Sequence, residues 1–334
     1  MRLEENPFYL LGATLLTDQA HIMQSADAKE LYLGEEAVSE ARKSLLHPRR
    51  RIDAEVSWVW WRTALGLRRL AARWEMHADE VVGEYLAKAE SDSSVRELEC
   101  INVLYNAACH LPPEDISLRQ AVCLRLGTSF ARLQSEDIRV HINRYREVAG
   151  VAAVAEAEWI QEALVRHRGE VARDLAAAWD DGGCAPWQRL LPEVLAQSTD
   201  RATGRADAFI YELIDAYHAR YRTEIEQYLA EVRRQAAYTR EHILDEAWAA
   251  DIERLFARVE VAFAATEVVQ RANRSRRLQS DAWEQIGADL YRVADSIYTK
   301  RFMAYEFQRF LERMRPFFVH SAYWSKRLER QCES

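Results

Sequence analysis

Residues 281–314 read DAWEQIGADLYRVADSIYTKRFMAYEFQRFLERM, and the folding of this stretch decides the class of the protein. Trp283, Ile286, Leu290, Val293, Ile297, Ala304, Phe307, Leu311 and Met314 recur on steps of three and four, broken only where Lys300 occupies the stripe. That period is the apolar face of a helix, whereas a half-buried strand alternates by two. Ile252, Leu255, Val259, Ala262, Thr266 and Val269 repeat the pattern upstream, as do Ile210, Ile214, Tyr217, Tyr221 and Tyr228. No proline lies between Glu193 and Arg315, and the only glycines there are Gly204 and Gly287, so long helices meet few breakers. Three long amphipathic helices with short connections predict an antiparallel, coiled-coil-like bundle over residues 206–334.

Working back from that bundle, Asp180-Asp181-Gly182-Gly183-Cys184-Ala185-Pro186 reads as an interdomain loop, and Ser198 to Ala206 as a second irregular stretch. Residues 181–205 are therefore expected to be a linker. Before it, Val56-Val59-Trp60-Leu65, Leu98-Ile101-Leu104-Tyr105 and Val122-Leu126-Phe130-Leu133 again show helical spacing. Breaks at Ser91 to Ser94 and at Leu111-Pro112-Pro113 divide this middle region, 59–180, into short helices. They suggest a small solenoid-like or orthogonal bundle, although no signature residue returns at a fixed period. No segment alternates convincingly by two, and the whole chain reads as all-α.

The chain has 334 residues, of which 49% are hydrophobic and 29% charged, enough for two or three domains that bury their own cores. The five cysteines, Cys100, Cys109, Cys123, Cys184 and Cys332, are an odd number with no CxxC spacing, which fits reduced thiols and a cytoplasmic protein. No basic segment followed by an apolar run opens the chain, and the richest apolar segment, Val148 to Ala155, is far shorter than the roughly 18 residues of a membrane span. A net charge of −8 argues against general nucleic-acid binding.

The first unit, residues 1–58, carries its own punctuation. Asn6-Pro7 opens a short helix that can stop at Gly12; Thr17 or Asp18 caps a second with Ile22, Met23, Ala26 and Leu31, ended by Tyr32-Leu33-Gly34. A third runs from Glu35 with Val38, Ala41, Leu45 and Leu46 on one face and stops before Pro48. Asn6-Pro7-Phe8-Tyr9-Leu10-Leu11-Gly12 resembles the NPYxxLG opening of J-domain proteins. The segment Ala41 to Arg51 resembles the A-x-x-x-L-x-D-P-x-x-R pattern that ends their third helix.

The resemblance implies a helical hairpin that meets a DnaK-type heat-shock ATPase, with a His-Pro-Asp bait between its second and third helices and a basic face on the second. This chain departs from both features. The loop is Tyr32-Leu33-Gly34, and the second helix carries Asp18, Asp27 and Glu30 against Lys29 and His21. His47-Pro48 follows the third helix, with Arg49 where an aspartate would be needed. Without that aspartate and its positive neighbours, the charge-assisted contacts that couple docking to ATP hydrolysis cannot form in the usual way. The resemblance thus points to the family's inactive members, which serve as adaptors. It makes Asn6, Pro7, Phe8, Leu11, Gly12, Pro48 and Arg51 candidate partner-binding residues.

Elsewhere the sequence holds little catalytic signal. Cys109-His110 with Cys100 and Cys123 fits no zinc spacing, and these cysteines sit among apolar helix residues. Asp180-Asp181-Gly182-Gly183 reads as a helix end and loop more readily than a cation site. No GxxxxGK[ST], GxGxxG, HExxH or GxSxG occurs, and His21, His77, His141, His167 and His218 have no partners at useful spacings. No cofactor or metal is implied. Arg49-Arg50-Arg51 closes the first unit, and Arg271, Arg274, Arg276 and Arg277 crowd the turn between two long helices, where they are candidates for a phosphate or an acidic partner. Trp58, Trp60 and Trp61 are too close to face one way, so at least one should point into a domain junction or a partner.

The expectation is a cytoplasmic, non-catalytic J-like adaptor or scaffold that docks a protein partner, a DnaK-type ATPase or a co-encoded complex, with oligomerisation possible through the C-terminal helices. An active co-chaperone with atypical docking residues, or a nucleic-acid-binding subunit of a larger complex, is the alternative.

Overall fold

Asn6 shows how local chemistry and long-range packing combine at the start of the chain. Its side-chain oxygen accepts from the Phe8 amide at 3.0 Å and caps α1 (Pro7–Leu11), while its Nδ2 donates to Ala54 O at 2.9 Å and Ser57 Oγ at 3.0 Å. Gly12 then stops α1 in the left-handed conformation, with φ of 66°. Asp18 caps α2 (Gln19–Leu33), Gly34 turns the chain, and α3 (Glu35–Leu46) returns against α2 and α1. The N-capping ring of His47 accepts from the Arg50 amide as α4 (Pro48–Val56) begins.

The computed structural model describes residues 1–60, 63–180, 182–278 and 281–332, and among them every regular element is a helix. No helix of the described residues is long and apolar enough to cross a membrane. Beyond α4 come α5 (Ala64–Met76), α6 (Ala78–Leu86), α7 (Ser94–Ala108), α8 (Ile116–Arg132), α9 (Ser135–Val148) and α10 (Ala157–Ala178). The stripe Val56-Val59-Trp60-Leu65 does not form one helix as its spacing predicts. α4 ends at Val56, Val59 and Trp60 are buried in a turn, and Leu65 is exposed on α5. Trp58 is buried as well, and Trp61 lies outside the described residues.

The chain clusters into two compact units, one of Met1–Asp181 with Ala206–Ala216, the other of Gly182–Arg205 with Tyr217–Ser334. Residues 1–58 thus share a unit with the middle helices, where the sequence suggests two domains. The reason is a set of buried polar side chains on α7 and α10. Asn102 donates to Val56 O and Trp58 O, both at 2.8 Å, and Asn106 accepts from the Leu3 amide at 2.8 Å. Because both Asn102 N–H groups are spent, its oxygen accepts from His167 Nε2 at 2.7 Å, which fixes the neutral ring's proton on that nitrogen. Such bonds satisfy backbone groups that the turn after α4 would otherwise bury unpaired.

Residues 181–205 are not a linker throughout. They hold α11 (Ala185–Ser198), whose Trp187, Leu190, Leu191, Val194 and Leu195 are buried at spacings of one helical face. Pro186 sits in its first turn, where no N–H is missed, and the helix continues through Pro192. The helices α12 (Ala208–Arg220) and α13 (Arg222–Glu241) divide the 210–228 stripe at Tyr221. In the second unit α13 packs on α14 (Trp248–Arg276) and on α15 (Asp281–Arg301), and α11 also lies against α14.

The opening stretch is likewise two helices. Phe302 takes a left-handed φ of 55° after α15, and α16 (Ala304–Met314) packs back on α15 before α17 (Ala322–Cys332). Arg301 explains the stop: its guanidinium donates to the carbonyls of Ile243 and Asp245 and stands 4.6 Å over the Trp248 ring. The connection between α13 and α14 thereby holds the end of α15.

Candidate functional site

The N-terminal hairpin leaves three apolar residues in solvent. Leu31 and Tyr32 are 89% and 85% exposed at the end of α2, followed by Leu33 at 43%. The backbone places them there because α2 runs on to its last turn before Gly34 reverses the chain. Beside them, α1, α2 and α5 line a half-open cavity of about 360 Å³. Phe8, Tyr9 and Leu10 of α1 form one wall, Tyr32 and Leu33 another, and Leu67 of α5 closes it.

Two cations stand in this apolar setting. Lys29 Nζ donates to the Leu10 carbonyl at 2.6 Å, at the end of α1 where the helix presents unpaired oxygens. Burial, and then the charge of Arg68, lowers the Lys29 pKa from its ordinary value. Arg68 lines the same cavity and has no carboxylate or hydrogen-bond partner among the described residues. Gly12 serves the arrangement twice, because its φ suits glycine and a Cβ there would stand 3.2 Å from Lys29 Nζ. The site can bind apolar surface and negative charge together. The titratable groups on its walls are Lys29, Arg68 and the phenols of Tyr9 and Tyr32.

The residues singled out from sequence divide between frame and groove. Asn6, Pro7, Phe8, Leu11 and Arg51 are buried, and Gly12 and Pro48 are exposed. Phe8 and Gly12 reach the groove. Arg51 instead donates to Glu55 at 2.8 Å and to Leu15 O at 3.2 Å beneath the Phe8 ring, and the Pro48 carbonyl accepts from Arg146. Sequence reasoning missed Lys29, Tyr32, Leu67 and Arg68. The signal was the run Leu31-Tyr32-Leu33 at a hairpin tip, where polar residues are expected.

In the second unit, Arg274 and Arg277 come together on a separate cavity that Trp283 and His320 also line, Arg271 lies 3.8 Å from Glu267, and Arg276 donates to Asn273 at 2.9 Å. Four of the five cysteines sit where their surroundings disfavour the thiolate. Burial pushes Cys109 up to about 12 and raises Cys100 and Cys123, and Cys184 is pushed up to about 11 by burial and by Glu224. Asp181 of the acidic loop lies outside the described residues; among those described, no group of three or more His, Cys, Asp or Glu side chains could hold a metal ion.

No protein-family model, no curated protein and no solved structure matches this chain.

Proposed function

We propose that this chain is a non-catalytic adaptor that docks a protein partner through the groove of α1, α2 and α5 and the apolar tip beside it. The observation that carries the reading is an apolar cavity whose two cations, Lys29 and Arg68, face no carboxylate among the described residues, next to leucine and tyrosine side chains held in water. Exposed apolar groups at a defined groove favour an apolar partner segment, and cations without a carboxylate partner favour one that carries aspartate or glutamate. The helix order and turn residues of 1–58 resemble a J domain whose bait tripeptide is replaced by Tyr32-Leu33-Gly34, which makes a DnaK-type ATPase the first partner to test. The role is then to hold the partner without accelerating its hydrolysis.

The test is titration of the full chain against a DnaK-type ATPase, with binding and steady-state hydrolysis followed together. Binding without stimulation is expected, weakened about tenfold by Tyr32→Glu or by Arg68→Glu, either of which removes an exposed contact without opening the core. Stimulated hydrolysis would support the active co-chaperone instead. Loss of binding in neither variant would remove the groove from the account.

A further inference from the structure

The four arginines found from sequence acquire a setting only in the fold. α14 ends in a motif in which the Arg277 amide bonds Arg274 O at 3.0 Å and the Leu278 amide bonds Asn273 O at 2.8 Å. The residue at the left-handed position of such an ending is usually glycine, because a Cβ there costs about 1–2 kcal/mol. Here it is Arg277, with φ of 61°, exposed and with a side chain that has no ion-pair or hydrogen-bond partner among the described residues. A strained backbone that presents an unpaired guanidinium is a feature to be explained.

That guanidinium stands on the rim of a cavity of about 460 Å³ between the end of α14 and the segment that leads into α17. Arg274 flanks it and donates to the Val319 carbonyl, which holds the neighbouring His320 in place. Leu278 and Tyr323, both 55% exposed, supply apolar wall, and Trp283 lines the cavity too. One carboxylate shares the lining, Glu284, and its Oε1 accepts from Ser321 Oγ at 2.7 Å. Burial first, and then the charges of Arg271 and Arg274, hold His320 in the cleft down near 4.

We infer that this cleft binds a small organic phosphate, with Arg274 and Arg277 on the anion and the ligand's apolar or aromatic part against Leu278 and Tyr323. Arginine suits the task because its planar fork meets two phosphate oxygens at once. The volume falls in the range of small-molecule sites, and the mixture of apolar wall with a few polar groups matches their usual make-up. The site is independent of the N-terminal groove, and its failure would leave the docking proposal as it stands.

Calorimetric titration of the full chain with phenyl phosphate, inorganic phosphate and a short duplex DNA tests this, with Arg277→Gly as the informative variant. Glycine suits the left-handed position, so this variant should unfold no earlier than the parent while its affinity for phenyl phosphate falls about tenfold, the loss expected for one charge-assisted contact. Phenyl phosphate should bind more tightly than inorganic phosphate. Arg222→Gln, a change at an exposed pair with Glu226 on α13, should bind as the parent does. Saturable binding of none of the three probes, equal losses in Arg277→Gly and Arg222→Gln, or DNA bound more tightly than phenyl phosphate would each overturn the assignment.

Discussion

Arg146 and Glu55, ninety-one residues apart, meet side by side in the interior of the first unit, with hydrogen bonds of 3.1, 3.1 and 2.8 Å between two side chains that are each 1% exposed. Arg51 also donates to Glu55, at 2.8 Å, and Arg146 donates further to Ala152 O and Pro48 O, both at 2.9 Å. A buried Arg-Glu-Arg group of this kind is weak evidence for net stability, because desolvation offsets much of the attraction. Its removal in part is costly, and its geometry ties α4 to α9.

Arg146→Met removes one member and leaves Pro48 O and Ala152 O without their donor. The expected loss is about 3–5 kcal/mol, the cost of a broken buried pair, read as a lower urea midpoint. A change under about 1 kcal/mol would mean that the side chains are hydrated rather than buried.

Gly287 lies in α15 under the indole of Trp324, where an added Cβ would come within 2.3 Å of Nε1 and 2.5 Å of Cε2. Glycine to alanine inside a helix ordinarily stabilises by up to about 1 kcal/mol. Gly83 of α6, with nothing within 4 Å of its missing Cβ, should behave that way. Gly287→Ala should instead destabilise by about 1–3 kcal/mol, because the Trp324 ring must shift from the bond it donates to Glu284 O. Thermal melts of the two variants decide the matter: a rise for both would mean that α17 does not rest on α15.

His320 and His167 are both held below the ordinary histidine range, His320 near 4 and His167 well below its usual value by complete burial. Their folded pKa values lie beneath that of the unfolded chain, about 6.5, so acid favours the unfolded state. Stability should be complete above about pH 7 and fall as the pH drops through 6.5, before carboxylates begin to protonate near 4. Denaturation midpoints at several pH values check this. His320→Asn should flatten part of the decline, and a profile level from pH 7 to 5 in the parent would refute the argument.

The raised thiol pKa values of Cys109 and Cys123 leave little thiolate at neutral pH, and Cys123 is also shut from solvent. Alkylation of the native chain followed by peptide mass analysis should find both modified far more slowly than in denaturant. Equal rates at Cys123 in the two states would show that the core around α8 opens freely.

Much of the helical content was legible because its signals act over one or two turns. Asn6-Pro7, Gly12, Asp18, Gly34 and His47-Pro48 bound helices where the chain alone suggests, since capping and φ preferences are properties of a few adjacent residues. The stops at Tyr221 and Phe302 were not legible. The apolar stripe runs through both, and at Phe302 a distant partner, the connection captured by Arg301, ends the helix. In the same way the Gly-Pro-rich region 181–205 reads as a loop until α11 is seen to bury Trp187 and Leu191.

What the sequence determined by itself is the all-α class and the boundaries of the first helices, because periodicity and capping are local. Tertiary structure alone decided that residues 1–58 share a unit with the middle helices, that Lys29 and Arg68 face one apolar cavity, and that Arg277 stands at a cleft with His320. Those facts depend on distances between residues far apart in the chain, which no local preference encodes.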